Sequence, residues 1–310
     1  MISTSAPASG THSRQNPRPF LGSLARGLSR SSFLRRGREL WEKNRKDWNL
    51  PLSRWGKLQS GVYLILNDFS EGLFPPTFLD QQQAYQNEMN YGSAIPGVKP
   101  EDFADTGLRK PFWFGPAAYL YLGSFLKLTS MLEEAGIAPP SKLLELGGGT
   151  GWTAEFLCQM GFDVLSTTLS PTDVEMANKR LESLRVRGLQ VRLRFQVCPM
   201  ETVADHVKGQ SPFDAVFVYE ALHHAFDWRA AVTSAFECLR PGGWLLICGE
   251  PNLLHTAVSY RVAKLASTHE IGFRKRELVA HLRQTGFRKL LSRGKRPGLL
   301  FRPHWLMAQR

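Results

Sequence analysis

One stretch constrains this chain more than any other: Leu143-Leu144-Glu145-Leu146-Gly147-Gly148-Gly149-Thr150-Gly151-Trp152-Thr153. An apolar run that reads as a buried strand passes through four glycines in five positions and into the first turn of a helix. Glycine admits positive φ and lets a backbone come close to a ligand. The amides at the start of the following helix then face a polar or anionic group. Such a turn suits a nucleotide-type ligand, and its spacing discriminates among them. A dinucleotide turn needs G-x-G-x-x-G. Counted from Gly147, the third required position is Trp152, too large for close helix–strand packing. A phosphate loop needs G-K-[ST], and Gly151 is followed by Trp152. The spacing present is Glu145-x-Gly147-x-Gly149-x-Gly151.

Around this turn the pattern alternates regularly. Strands are expected at 142–146, 162–168, 191–197, 213–219 and 244–249, with helices at 151–160, 171–187, 200–208 and 226–239. Strands alternating with helices imply a parallel sheet covered on both faces. A further helix at 275–284 is stopped by Gly286. Residues 287–291 and 299–307 read as two last strands, antiparallel because the turn through 294–297 joins them directly. The expected fold is α/β, a seven-stranded, mostly parallel sheet with helices on both faces and a mainly helical N-terminal extension.

That extension is less regular. Residues 39–47 and 78–89 read as helices, and 62–66 is an apolar run, either strand or buried helix. A helix begins at Pro116 and runs to about 135. The aromatics Phe112, Trp113 and Phe114 before it either pack or form a flap over the ligand. Residues 1–38 hold seven arginines, eight serines and no acid. This composition reads as a disordered tail, with a mitochondrial transit segment or a membrane-surface anchor as alternatives. The expected division is a tail over 1–38, an extension and lid over 39–135, and a ligand-binding domain over 136–310.

Charge separates the ends from the middle. The net charge is +9 over residues 1–60, +10 over 271–310 and −7 over 61–270. The ends are suited to an anionic membrane surface or nucleic acid, or are solvated basic faces; the middle is not built as a nucleic-acid cleft. Cys158, Cys198, Cys238 and Cys248 form no C-x-x-C pair, so no zinc site is expected. Free cysteines fit a reducing, cytoplasmic setting. The longest uncharged stretch, 111–126, is too short to span a bilayer.

Taken together, Glu145-Leu146-Gly147-Gly148-Gly149-Thr150-Gly151, Phe213-Asp214-Ala215-Val216 with Leu222-His223-His224, and Leu239-Arg240-Pro241-Gly242-Gly243-Trp244-Leu245 resemble three successive motifs of the class I S-adenosylmethionine-dependent methyltransferases, a Rossmann-like family. The resemblance covers about 141–292. It implies that Gly147 and Gly149, with Gly151 closing the turn, let the backbone approach the methionine part of S-adenosyl-L-methionine, and that Glu145 acts on its amino group. It places Met200 over the adenine and Glu220 near the sulfonium. Two positions depart from the family pattern. Thr168 stands where an acid usually holds the ribose, so either Thr168 and Ser170 share that work or Asp173 reaches in. Pro199 stands where an aspartate often meets the adenine amine.

The reaction so implied is in-line methyl transfer, in which the protein mainly aligns the partners. A hydroxyl acceptor also needs a base, and histidine suits that at neutral pH. His223 and His224 follow the fourth strand. Glu250 follows the fifth, as base or acceptor ligand or as a solvated loop acid. His255, Tyr260 and His269 lie in the expected loop beyond it. The expected activity is methyl transfer to oxygen, carbon or nitrogen of a small-molecule, lipid- or sugar-linked acceptor. The alternatives are a cofactor-binding protein without turnover, or an RNA or protein methyltransferase docked through the basic ends. The motif Tyr219-Glu220-Ala221-Leu222 lacks the N/D-P-P-Y/F tetrapeptide of amino-methylating relatives, which counts against a nucleobase acceptor.

Overall fold

The computed structural model describes residues 31–75, 80–97, 99–112, 116–293 and 302–310. Its centre is one sheet of seven strands in the order β3-β2-β1-β4-β5-β7-β6. The strands are β1 (Lys142–Leu146), β2 (Asp163–Thr168), β3 (Arg192–Val197), β4 (Phe213–Tyr219), β5 (Leu239–Glu250), β6 (Lys289–Ser292) and β7 (His304–Gln309). β1 through β5 pair in parallel, and β7 is antiparallel to both β5 and β6. This is the expected sheet. The expected fifth strand grows at both ends: β5 begins at Leu239, runs through the Pro241-Gly242-Gly243 segment and continues to Glu250, which pairs with His304.

The apolar runs are continuous because both faces of the sheet are covered. Leu144, Leu146, Val216, Val218, Leu245 and Ile247 point to one face. There they meet Ala231 and Ala235 of α9 (Trp228–Cys238) and Leu278 and Leu282 of α11 (Lys275–Thr285). Leu143, Ala215, Phe217 and Leu246 point to the other. They pack on Leu128, Met131 and Leu132 of α5 (Pro116–Glu134) and on Leu157 of α6 (Trp152–Gln159). Caps set the helix ends. Ser170 accepts from the amide of Asp173 at the start of α7 (Pro171–Val186), where Pro171 already holds a helical φ. The short α8 (Val203–His206) follows a 3-10 turn over Met200–Thr202.

The N-terminal segment departs from expectation in three places. First, α1 (Ser32–Asn44) begins inside the stretch read as a disordered tail. Ser31 caps it, and Leu34, Gly37 and Trp41 are buried, so the tail reading is left only with residues 1–30, which lie outside the described residues. Second, the 62–66 run is helical, within α2 (Arg54–Ser70), which starts at the Ser53 cap. Third, α3 (Gln81–Met89) is followed by an unexpected helix, α4 (Pro100–Arg109). Tyr260 is not in a loop either: the segment after β5 forms α10 (Thr256–Ala266), and Tyr260 and Ala263 pack on Trp41 and Leu64. Of the aromatic cluster, Phe112 lies against the Phe156 ring, while Trp113 and Phe114 lie outside the described residues. Among the described residues no helix is long and apolar enough to cross a membrane, no group of side chains has metal-ligand geometry, and the four cysteines are buried and free.

Candidate functional site

In an open α/β sheet, ligands sit beyond the carboxyl ends of the strands where strand order reverses. Here that point lies between β1 and β4, and a cavity of about 300 Å³ opens there. The turn contributes Glu145, Gly147, Gly148 and Gly149 to it, α6 contributes Trp152 and Thr153, and α7 contributes Asp173 and Met176. Tyr219 and Glu220 close one side, and Thr106, Gly107, Lys110 and Tyr121 cover it from the N-terminal segment. A hollow of about 350 Å³ near Asp205, Phe213 and Glu237 lies at the amino ends of β4 and β5, the other end of the strands from the glycine turn.

The turn is shaped for a close ligand. Gly149 has φ 52, and a Cβ there would meet open space: its bare backbone faces the cavity. Gly148 leaves no room for a side chain, because a Cβ would strike Ser166 and the Glu145 carboxylate. Gly147 lies against Ala221 and the Met200 methyl group, so Met200 stands beside the turn. Gly151 is the N-cap of α6 and abuts the Phe195 ring, so its place is packing.

Glu145 is only 1% exposed. Ser166 Oγ donates to it at 2.6 Å, and the Thr153 hydroxyl donates to its other oxygen. Burial pushes its carboxyl up to about 7, although both hydroxyls pull the other way. Ser170 is occupied as a helix cap, and Asp173 is the carboxylate that reaches the cavity, 3.5 Å from Thr168 Oγ1. Burial raises Asp173, against the charge of Lys110 and the hydroxyl of Thr168.

Glu220 sits at the mouth of the cavity with φ 48, a left-handed backbone that a side-chain-bearing residue adopts at a cost. Its amide donates to the Cys248 carbonyl at 2.9 Å, which holds the turn. Part of its surface remains open to solvent, yet desolvation in the crevice and then the charge of Glu250 push its carboxyl up to about 7, against the pull of Lys110.

Beyond Glu220 the two histidines part company. Glu250 is 0% exposed, which removes the solvated-acid reading. It accepts the amides of Ala221 and Leu222 at 2.9 Å each, the amide of His223 at 3.2 Å, and contacts His223 Nδ1 at 2.9 Å. Burial alone would raise Glu250, but the imidazole and these amides outweigh it and lower it, so it stays ionised. An ionised carboxylate accepts, so Nδ1 of His223 donates to it and the ring is held with Nε2 on the opposite side. His224 instead meets Glu88 of α3, Nδ1 to Oε2 at 3.1 Å. Burial disfavours its charge, yet Glu88, then Glu270 and Glu250, raise it to about 9. His224 is therefore the charged anchor of α3. The backbone amide of His269 also reaches Glu88, at 3.2 Å, and burial lowers both His255 and His269. Tyr260 donates to Asp68 at 2.7 Å, on the far side of α10 from this site.

Of the residues singled out in the sequence, Glu145, Gly147, Gly149 and Glu220 line the cavity, Met200 and Thr168 stand against lining residues, and His223, His224 and Glu250 form a hydrogen-bonded group just after Glu220 that is not part of the lining. Sequence reasoning misses Lys110, Tyr121, Thr106 and Glu88. Nothing in 80–121 marks those residues, because their meaning comes only from where α3, α4 and α5 meet the sheet domain.

The methyltransferase domain family matches residues 144–247. The chain is 31% identical over 122 residues to the ubiquinone biosynthesis O-methyltransferase of Bordetella avium, covering 39% of this chain and 47% of that protein. It is 31% identical over 120 residues to the tRNA 5-carboxymethoxyuridine methyltransferase of Escherichia coli, covering 38% of this chain and 43% of that one. The chain spans about half the length of such relatives. The crystal structure of magnesium protoporphyrin IX methyltransferase from Synechocystis with bound S-adenosylhomocysteine shares the fold, at TM-score 0.52 and 15% identity, over 74% of this chain and all of that one (100%). Turn spacing, strand order, cavity position and family match converge: this chain carries a class I methyltransferase domain, of the kind that takes S-adenosylmethionine as methyl donor.

Proposed function

We propose that the protein transfers the methyl group of S-adenosylmethionine to a hydroxyl oxygen of a small organic acceptor, free or carried on a lipid or sugar, with His223 as the base. The observation that carries this reading is the His223–Glu250 pair, set on a buried carboxylate at the end of β5 and beside the end of β4 at Tyr219. The cavity fits the donor on its own terms. The bare backbone at Gly149 admits the amino-acid part, and Asp173 is a carboxylate placed for the ribose hydroxyls. Glu145 and Glu220 answer its positive groups.

When bound, the sulfonium supplies an electrophilic methyl group. The chain's own residues do the rest. Glu250 holds the His223 ring and fixes its tautomer, so Nε2 is free to take the hydroxyl proton as the oxygen–carbon bond forms. Glu220 lies at the cavity mouth on the acceptor side, and Tyr219 and Tyr121 wall that side. The names of relatives such as the ubiquinone biosynthesis O-methyltransferase support an oxygen acceptor. The basic chain ends favour a second reading, an RNA acceptor, whose association would weaken steeply with salt.

The test uses radiolabelled methyl donor with a panel of phenols, sugars and hydroxylated lipids. His223→Gln is expected to bind S-adenosylhomocysteine like the parent and to lose turnover about a hundredfold or more, the usual worth of a general base. Parental turnover in His223→Gln removes the base from the reading. A parent that does not bind S-adenosylhomocysteine at millimolar concentration removes the function itself.

A further inference from the structure

We propose that Arg180 is a latch, a positioning residue that fastens the end of α4 over the cofactor cavity and sets how long the cofactor stays bound. The inference rests on the methyltransferase reading of that cavity.

Arg180 projects from α7 with its side chain 8% exposed. Its Nη1 meets Glu155 of α6 at 2.7 Å. Its Nη2 lies 2.8 Å from each of the carbonyls of Gly107, Leu108 and Lys110, so its two hydrogens are shared among three acceptors. These carbonyls belong to the last turn of α4 and the residue that follows it, where a helix has no acceptor partners of its own and carries partial negative charge. A guanidinium, with donors in a rigid fork, satisfies several such carbonyls at once. Thr150, inside the glycine turn, donates to the same Gly107 carbonyl at 2.9 Å. The approach is close enough that a Cβ on Gly107 would stand 2.7 Å from Thr150 Cγ2.

An ordinary buried ion pair does not explain this arrangement. Pairing with Glu155 needs one edge of the guanidinium, and a buried pair contributes little to stability by itself. The other edge is spent on a segment far away in sequence whose residues, Gly107 and Lys110, form the cavity wall. The latch places Lys110 in the cavity, with its ammonium 5.4 Å from the centre of the Tyr121 ring and within the fields of Asp173 and Glu220. Lifting the end of α4 to let the cofactor out breaks the shared Nη2 contacts to the three carbonyls and the Thr150 bond together. Release is then slow because those bonds break as a group.

The test follows release of S-adenosylhomocysteine by the fluorescence of Trp152, which lines the cavity, in stopped-flow experiments on the full chain. Arg180→Met is expected to raise the dissociation rate about tenfold to a hundredfold, the worth of lost charge-assisted hydrogen bonds. Thr150→Val moves it the same way by less, and Arg180→Lys, which keeps the charge but loses the fork, falls between. Amide exchange in the cofactor-free protein is expected to rise over residues 100–112 and to stay parental over 213–219. A purely structural role would raise exchange in both segments and leave the release rate per folded molecule unchanged, and that result overturns the latch. If Arg180→Met does not fold, Arg180→Lys and Thr150→Val decide by the same two readouts. A parent that fails to bind S-adenosylhomocysteine overturns the cofactor reading instead, and selective exchange over 100–112 still decides whether Arg180 holds the segment.

Discussion

Glu145 is a carboxyl with hydroxyl partners and no cation beside it. Ser166 and Thr153 donate to it, and burial still raises it from its ordinary 4.5 to about 7. A raised acid binds its proton more tightly in the folded chain than in the unfolded one. Between about pH 4.5 and 7 the folded state therefore holds more protons, and stability falls as pH rises through that window. Glu145→Gln stays neutral and keeps the hydroxyl partners. Urea denaturation is expected to show the parent losing roughly 2–4 kcal/mol from this group across the window, with the variant flat over the same range. A parent as flat as the variant would remove burial as the dominant influence on Glu145. Sequence spacing is enough to single out Glu145, because a carboxylate two residues before the first turn glycine has a recognisable role. It does not reveal that Asp173 lines the cavity beside the neutral Thr168, since that depends on the first turn of α7 leaning into the cavity. Nor does it separate His223 from His224: adjacent residues acquire different partners only through Glu250 and Glu88.

At the scale of elements, the core strands are legible because a strand buried on both faces must be apolar at nearly every position. The N-terminal helices are not legible for the opposite reason. The buried face of α2 is Gly56, Ser60, Gly61, Leu64 and Asp68, which shows no hydrophobic stripe. Its small residues allow close approach to α10, and Asp68 is buried because Tyr260 and Lys264 both reach it at 2.7 Å. The partner lies about 200 residues away, so no local window contains the pattern. Gly61 is the tightest point, where a Cβ would run into the Ala257 carbonyl. Gly61→Val must therefore push α2 and α10 apart. Thermal unfolding is expected to show a loss of about 1–3 kcal/mol or more, as for overpacked cores. Affinity for S-adenosylhomocysteine should stay parental, because neither helix lines the cavity. Parental stability in Gly61→Val would mean that the two helices do not cross this closely.

Across the whole molecule, the N-terminal helices hold the sheet domain at separate places. α2 is tied to α10 through Asp68. α3 is tied by Tyr85 to Glu201 at 2.9 Å, by Asn87 to the Ser267 carbonyl at 2.9 Å, and by Glu88 to His224. α4 is tied by Arg180 and Thr150. The cavity is walled by the sheet domain on one side and by Thr106, Gly107 and Lys110 on the other, so a ligand there touches both parts. A ligand that binds only the assembled form stabilises all of it, by about 2.7 kcal/mol at a hundred times its dissociation constant. Melting followed by far-ultraviolet circular dichroism and by tryptophan fluorescence is then expected to give one coincident transition, moved upward as a unit by S-adenosylhomocysteine. Trp41, in the N-terminal helices, and Trp152, in the cavity wall, report from the two parts. Two transitions, with only the later one moved by the ligand, would mean that the extension unfolds independently and that the cavity is complete without it.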